Sequence, residues 1–406
     1  QVEGATDHYV WEMMRKRGVP EEMITGDASN HDKWLALAGV FPQLVGNPSY
    51  EWIHLDLRRR FAIDEVIRPD TAESIWQQTL ARLAEPDMRP QQVLEAMKVE
   101  VMCTTDDPTV HLPHHERARD EIAHTRILPT WRPDKAMNVG KDTWRPLVER
   151  LGRETEFDTS TLDGFEQALT ATHEYFRVME CVASDHGLTE PWGHEVARAK
   201  AAAVHASAFA GHRLDQDDVA DYHAHMLHFF AALNADAGWV MQLHIGAVRD
   251  YRDRLFDTLG PDTGGDVSDQ QIDIVEPLRE FLNAYDGRLQ IVLYCLDPGH
   301  LPSLTTIARA FPGVSLGVPW WFNDSPFGIK THLRYVGTVD LLANSAGMVT
   351  DSRKLISFGS RTEMFRRVLC DAVGEMVERG QIPMPEAVDL VRSIAYERPR
   401  ALFFGG

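Results

Sequence analysis

The stretch "AGMVTDSR", residues 346–353, decides how this chain folds. Its apolar run through Met348 and Val349 stops abruptly at Thr350, Asp351, Ser352 and Arg353. A turn explains the polarity, but a turn needs no carboxylate with a guanidinium two residues on. The pattern recurs upstream in "VEVMCTTDDP" (99–108), "TRILPTWRPDK" (125–135), "VMECVASDHG" (178–187) and "WVMQLHIGAVR" (239–249). It returns in "LQIVLYCLDP" (289–298) and "VSLGVPWWFND" (314–324). Each is a short apolar or β-branched run closing in a polar cluster. Helix-period segments such as "DGFEQALTATHEYFRVM" (163–179) and "SLTTIARAF" (303–311) fill the intervals.

Seven strand–helix units with near-continuous apolar strands predict an α/β fold, a parallel sheet covered by helices. Seven is one short of a closed (β/α)8 TIM barrel, so a first strand is expected ahead of Gln1. In that barrel the chemistry gathers where the strands end. Here those ends carry Asp, His, Arg and Trp, which would converge on one mouth. A doubly wound open sheet is the alternative, but neither G-x-G-x-x-G nor G-x-x-x-x-G-K-[ST] supports a nucleotide site.

Residues 1–98 read as a helical, Trp- and Arg-rich region packed on the barrel, and 99–406 as the barrel itself. A helical insertion spans about 188–237, far longer than a crossover helix needs. Such elaborations cover a site or form a subunit contact, so a homo-oligomer is expected. "DTAESIWQQTLARLA" (70–84) and "SRTEMFRRVLCDAVGEMVERG" (360–380) are expected to open on Asp-x-x-Glu and Ser-x-x-Glu caps, the second closing at Gly380.

Apolar residues make up 44% of the 406 and charged residues 25%, the profile of a soluble globular protein. A net charge of −20 argues against nucleic acid or an acidic membrane as partner. "LDLRRRF" (55–61) reads as a solvated face. The four cysteines, Cys103, Cys181, Cys295 and Cys370, lie too far apart for a zinc ribbon or disulfide scaffold and suit a reduced, cytoplasmic protein. No apolar run approaches a membrane span.

Among the candidate site residues, "YHAHM" (222–226) looks like a metal motif. It falls in a helical pattern, however, where positions i and i+2 point apart. His186 and His244 each follow an apolar run and are expected to line the mouth, with Asp185 beside them. Arg132, held between Trp131 and Pro133, suits capture of a carboxylate or phosphate. Trp320 and Trp321 offer a flat wall for a sugar or pack under a lid. Asp106 and Asp107 read first as a capping turn. Asp351 is placed to ligate a metal or move a proton, with Arg353 favouring its ionised form.

Taken together, "DHYVWEMMRKRGV", "ITGDAS", "GNPSYEWIHLDLRRRF", "CTTDDP", "WRPDKA", "ASDHG", "WVMQLHIGA", "GPDTG", "WWFND" and "GMVTDSRKLISF" resemble the uronate (glucuronate) isomerase family of the amidohydrolase superfamily. The likeness runs in order from residue 6 to the end. It implies a distorted (β/α)8 barrel and an aldose–ketose isomerisation. D-glucuronate would become D-fructuronate and D-galacturonate D-tagaturonate, by C2-to-C1 proton transfer through a cis-enediol. It further implies that Asp351 ligates a divalent metal, usually zinc, and assists ring opening. Arg353 would partner Tyr9, which takes the C2 proton, while His8 contacts sugar hydroxyls and Arg132 holds the carboxylate. Trp320 and Trp321 match the family's tryptophan pair, and His244 and His186 are carried over for proximity alone. The family's strand-one His-x-His, which supplies two metal ligands, has no counterpart after Gln1. A metal-dependent hydrolase on the same barrel, acting on an ester, lactone or amide, is the alternative. A sugar-binding protein without turnover is the third reading.

Overall fold

The computed structural model describes residues 8–405. The strands are β1 (Val101–Cys103), β2 (Arg126–Leu128), β3 (Ala183–Leu188), β4 (Val240–Ile245), β5 (Ala247–Val248), β6 (Val267–Ser268), β7 (Gln290–Cys295) and β8 (Val314–Leu316). β3, β4, β7 and β8 lie side by side in one parallel sheet, and β1 pairs in parallel with β2. Single bridges from Trp131 to Asp106 and to Ser184 join the two sheets, and a bridge from Val318 to Met348 adds the last stave. The seven expected units therefore stand in chain order around a distorted (β/α)8 barrel, the seventh as a bridge. Among the described residues, nothing pairs with the outer edge of β1 or of Met348. The strand expected ahead of Gln1 falls outside the described residues. β5 and β6 form a small antiparallel ribbon beyond β4.

Strand alternation sorts the core into layers, because successive side chains face opposite ways. Ala183, Val240, Val292, Tyr294 and Trp320 meet inside the barrel. Met241, Leu243, Ile291 and Leu293 face outward and pack against the helices in a second, larger cluster. Gly317 makes the inner layer possible, since a Cβ there would stand 1.9 Å from the Tyr294 ring.

The region before β1 is helical, with helices His8–Lys16, Asn30–Val40, Pro48–Phe61, Ala72–Leu83 and Pro90–Ala96. Trp34, Phe41, Ile67 and Ile75 are buried in a core of its own. Ser29 accepts from the Asp32 amide and Asn47 from the Ser49 amide, so both of those helices carry N-caps. Two expected caps are corrected. Ala72–Leu83 starts after Thr71, with no side-chain cap, because the Thr71 hydroxyl turns back to the Val66 carbonyl. The helix expected from Ser360 begins at Ser357, so Ser360 lies inside it and donates to the Ser357 carbonyl. Gly380 does end it, at φ 68°.

Between β3 and β4 run helices Arg198–Phe209 and Gln216–Ala237, the second capped by Asp215 and stopped by Gly238. The "YHAHM" histidines sit within that second helix and serve the helical shell. His223 packs edge-on against Trp192, ring centroids 5.3 Å apart, and His225 Nε2 lies 2.7 Å from Glu166. Among the described residues, no helix is long and apolar enough to cross a membrane.

Candidate active site

A cavity of about 590 Å3 opens where the strands end. Arg132, Asp185, His244, Arg249, Trp320 and Asp351 line it. A second cavity, about 220 Å3, lies outside the barrel beside Leu304 and His332 and holds none of these groups.

Arg132 is the hub. Its Nε donates to Asp134 Oδ2 at 2.8 Å, Nη1 stands 3.3 Å from Asp185 Oδ2, and Nη2 lies 3.2 Å from His244 Nε2. A guanidinium can only donate, so His244 Nε2 is the acceptor and the ring proton sits on Nδ1. Nδ1 is 3.0 Å from Asp185 Oδ1, in contact though poorly aligned for a hydrogen bond. Burial alone would raise the Asp185 carboxyl, but His244 and Arg132 outweigh it and hold the group well below the usual range. Burial, reinforced by the charge of Asp185, pushes the Asp134 carboxyl the other way, against the pull of Arg132.

Close approach at Gly187 makes this cluster fit. Its amide donates to Asp134 Oδ2 at 3.0 Å, and a Cβ there would lie 2.4 Å from His244 Nε2. Gly187→Ala is therefore expected to displace His244 and Arg132 and to cut kcat/KM by roughly 100-fold, as a misplacement of about 1 Å can. Steady-state kinetics beside a thermal-denaturation scan checks this, and kinetics within threefold of the parent would refute it.

Asp351 reaches the cavity from the bridge at Met348, with φ at 42°. Solvent meets it from the mouth while protein surrounds its other sides. Burial raises its carboxyl, Asp185 raises it further, and His244, Arg132 and Arg353 pull it back. A carboxyl so balanced can both take and give a proton. Arg353 itself is exposed and does not line the cavity. Trp320 packs edge-on to His244, ring centroids 5.5 Å apart, and edge-on to Tyr294 at 5.4 Å.

Several expected site residues stand elsewhere. His186 is a correction: it faces away from the cavity, fully buried, with Nε2 2.8 Å from Ser184 Oγ and its ring stacked on Phe230. Asp185 takes the inner face of β3, so its neighbour must take the outer one. Burial pushes the His186 imidazole down to about 3, which suits a neutral core residue. Tyr9 lines a small adjoining pocket with Trp52, Arg361 and Ser352, and Ser352 lines the main cavity too. His8 stacks on Tyr9 and meets Trp321 edge-on at 5.5 Å. Trp321 lies beneath Arg249, 4.5 Å from the guanidinium carbon to the ring centroid. Sequence reasoning passed over Arg249, although the residue closes the run "WVMQLHIGAVR", and over Asp134, which "WRPDK" displays two places after Arg132.

The divalent metal that the resemblance implies has an incomplete ligand set among the described residues. Among the described residues, no group of three His, Cys, Asp or Glu could hold a metal ion. Asp351 is the one implied ligand present, and both His244 nitrogens face Arg132 or Asp185.

An α/β barrel with acid, imidazole and guanidinium gathered at its strand ends defines a barrel enzyme whose chemistry sits at the C-terminal face. The family profile described as glucuronate isomerase matches residues 1–403. The uronate isomerase of Thermotoga maritima is 61% identical over 405 residues, covering 100% of this chain and 89% of that protein. A crystal structure of the uronate isomerase from that organism superposes with a TM-score of 0.97, covering 99% of this chain and 89% of the other. The crystal structure of glucuronate isomerase from Caulobacter crescentus gives 0.94 at 25% identity, covering 98% and 85%. This chain belongs to the glucuronate isomerase family, and it is an isomerase; the hydrolase reading is not favoured.

Proposed function

We propose that the chain interconverts D-glucuronate with D-fructuronate and D-galacturonate with D-tagaturonate. The observation that carries this reading is the single cavity into which Asp351, Arg132 and His244 converge from three strand ends. The sugar ring opens as the O1 proton passes to the ring oxygen, with Asp351 as carrier. Tyr9, paired with Arg353, takes the C2 proton, and the electron pair forms the C1–C2 double bond of the cis-enediol while Asp351 gives the proton it carries to O1. Asp351 then removes the O2 proton, the C2 carbonyl forms, and C1 receives the proton Tyr9 holds. Arg132 keeps the carboxylate in place, His8 contacts hydroxyls, and Trp320 walls the chain of carbons. The geometry supports a shared role for the two pockets, which meet at Ser352, and sets the Arg361 guanidinium 6.0 Å from the Tyr9 ring centroid. The cofactor proposed is zinc at Asp351, and the proton steps above use side chains alone. The widely spaced cysteines suit a cytoplasmic enzyme, and the helical elaborations around the mouth suit a homo-oligomer.

The test is proton NMR of the purified protein in D2O with zinc supplied, first with D-glucuronate and then with D-galacturonate. Ketose is expected, with deuterium at C1 in proportion to the exchange of the proton on Tyr9 with solvent. No ketose from either sugar would overturn the reading, and cleavage of an ester or lactone would replace it with the hydrolase.

A further inference from the structure

We propose that Arg249 is a second cation for the substrate carboxylate, acting across the cavity from Arg132; this rests on the uronate reading above. Arg132 has all three guanidinium nitrogens committed, to Asp134, Asp185 and His244. Bidentate capture of a carboxylate needs two parallel N–H groups on one edge of the fork. The side-on edge of Arg132 gives its Nε–H to Asp134, and Nη1 and Nη2 each hold one further protein partner, which leaves two of its five N–H groups.

Arg249 lines the same cavity with an edge to spare. Among the described residues its ion pairs run through Nη1, to Asp266 Oδ2 at 3.2 Å and more distantly to Asp262 at 3.9 Å. Nε and Nη2, the side-on pair of the fork, are not used in them. The guanidinium carbon rests over the Trp321 ring. That indole sits on a backbone φ of 60°, a conformation that bulky residues rarely adopt. A strained tryptophan directly under a cavity arginine suits a site where a cation must be held in place.

The support extends to the helix that carries His8 and Tyr9. Asp266, whose side chain is almost sealed from solvent, also accepts from the Asp250 amide at 2.6 Å. The adjoining loop is fastened to helix His8–Lys16 twice, by the Gly265 amide to Glu12 and by Arg15 Nη1 to the Thr263 carbonyl, each at 2.6 Å. Arg249 is thus oriented by the same loop that docks the helix bearing the proposed C2 base.

The experiment compares the parent with Arg249→Met and Arg249→Lys, using D-glucuronate as substrate and uncharged D-glucuronamide as competitive inhibitor. Arg249→Met is expected to raise KM for D-glucuronate on the order of 30-fold, the loss of a charge-assisted pair, with kcat within threefold. Arg249→Lys, which keeps the pairing with Asp266 and loses the fork, should fall between, near 10-fold. The inhibition constant of the amide should not move. A KM within threefold of the parent in both variants overturns the inference, as does an equal weakening of the amide, which marks a merely structural role. Parent protein that turns over neither uronate overturns the uronate reading and this inference with it.

Discussion

Asp351→Asn is expected to lower kcat on the order of 1,000-fold while KM changes less than about threefold, the signature of a lost proton carrier. The substitution isolates the proton because of where the residue sits. At φ 42° most side chains strain the backbone, but asparagine tolerates the left-handed region as aspartate does. An alanine there would mix backbone strain with lost chemistry. Asparagine keeps the size and one acceptor oxygen, so Arg132 and His244 feel only the missing charge. Metal content measured on parent and variant separates a lost carrier from a lost ligand. A kcat within tenfold of the parent, at equal metal content and unchanged denaturation midpoint, would remove Asp351 from the proton path.

The barrel was legible because its signal is local. Each stave is an apolar run broken by a polar cluster, and β3, β4 and β7 need only their own residues to be recognised. What local pattern does not supply is the face each side chain takes. Asp185 and His186 were both read toward the mouth, although a strand can send only one of two neighbours there. Packing decides which: Asp185 finds Arg132 and His244 inside, and His186 finds Phe230 and Ser184 outside. The run "TRILPTWRPDK" holds only β2 and a bridge, because Pro133 ends the ladder. Arg249 escaped notice because its role needs Trp321 and Asp266, which no spacing in its own segment announces. Arg361 was missed because it lies mid-helix, where a charged residue normally faces water, and its partner is thirty-seven residues away.

Arg361→Met is expected to cost about 3–5 kcal/mol of stability, the largest loss from any single change considered. Arg361 pairs through Nη2 with Asp324 Oδ2, and the two side chains are only 5% and 2% exposed. The guanidinium also lies over Trp52, 4.8 Å from the ring centroid, so one side chain joins helix Ser357–Glu378, the turn after β8 and helix Pro48–Phe61. Methionine fills much of the volume but leaves the Asp324 carboxylate buried beside an apolar chain. The bidentate pair of Arg59 with Glu363, on the same two helices, is open to solvent, and its removal should matter little. Urea denaturation of the two single variants gives that contrast directly. Adding Asp324→Asn to Arg361→Met should restore a large part of the loss, because the penalty comes from the orphaned charge and not from the missing attraction. A double variant no more stable than Arg361→Met alone would mean that packing over Trp52, not the buried pair, ties the helical region to the barrel.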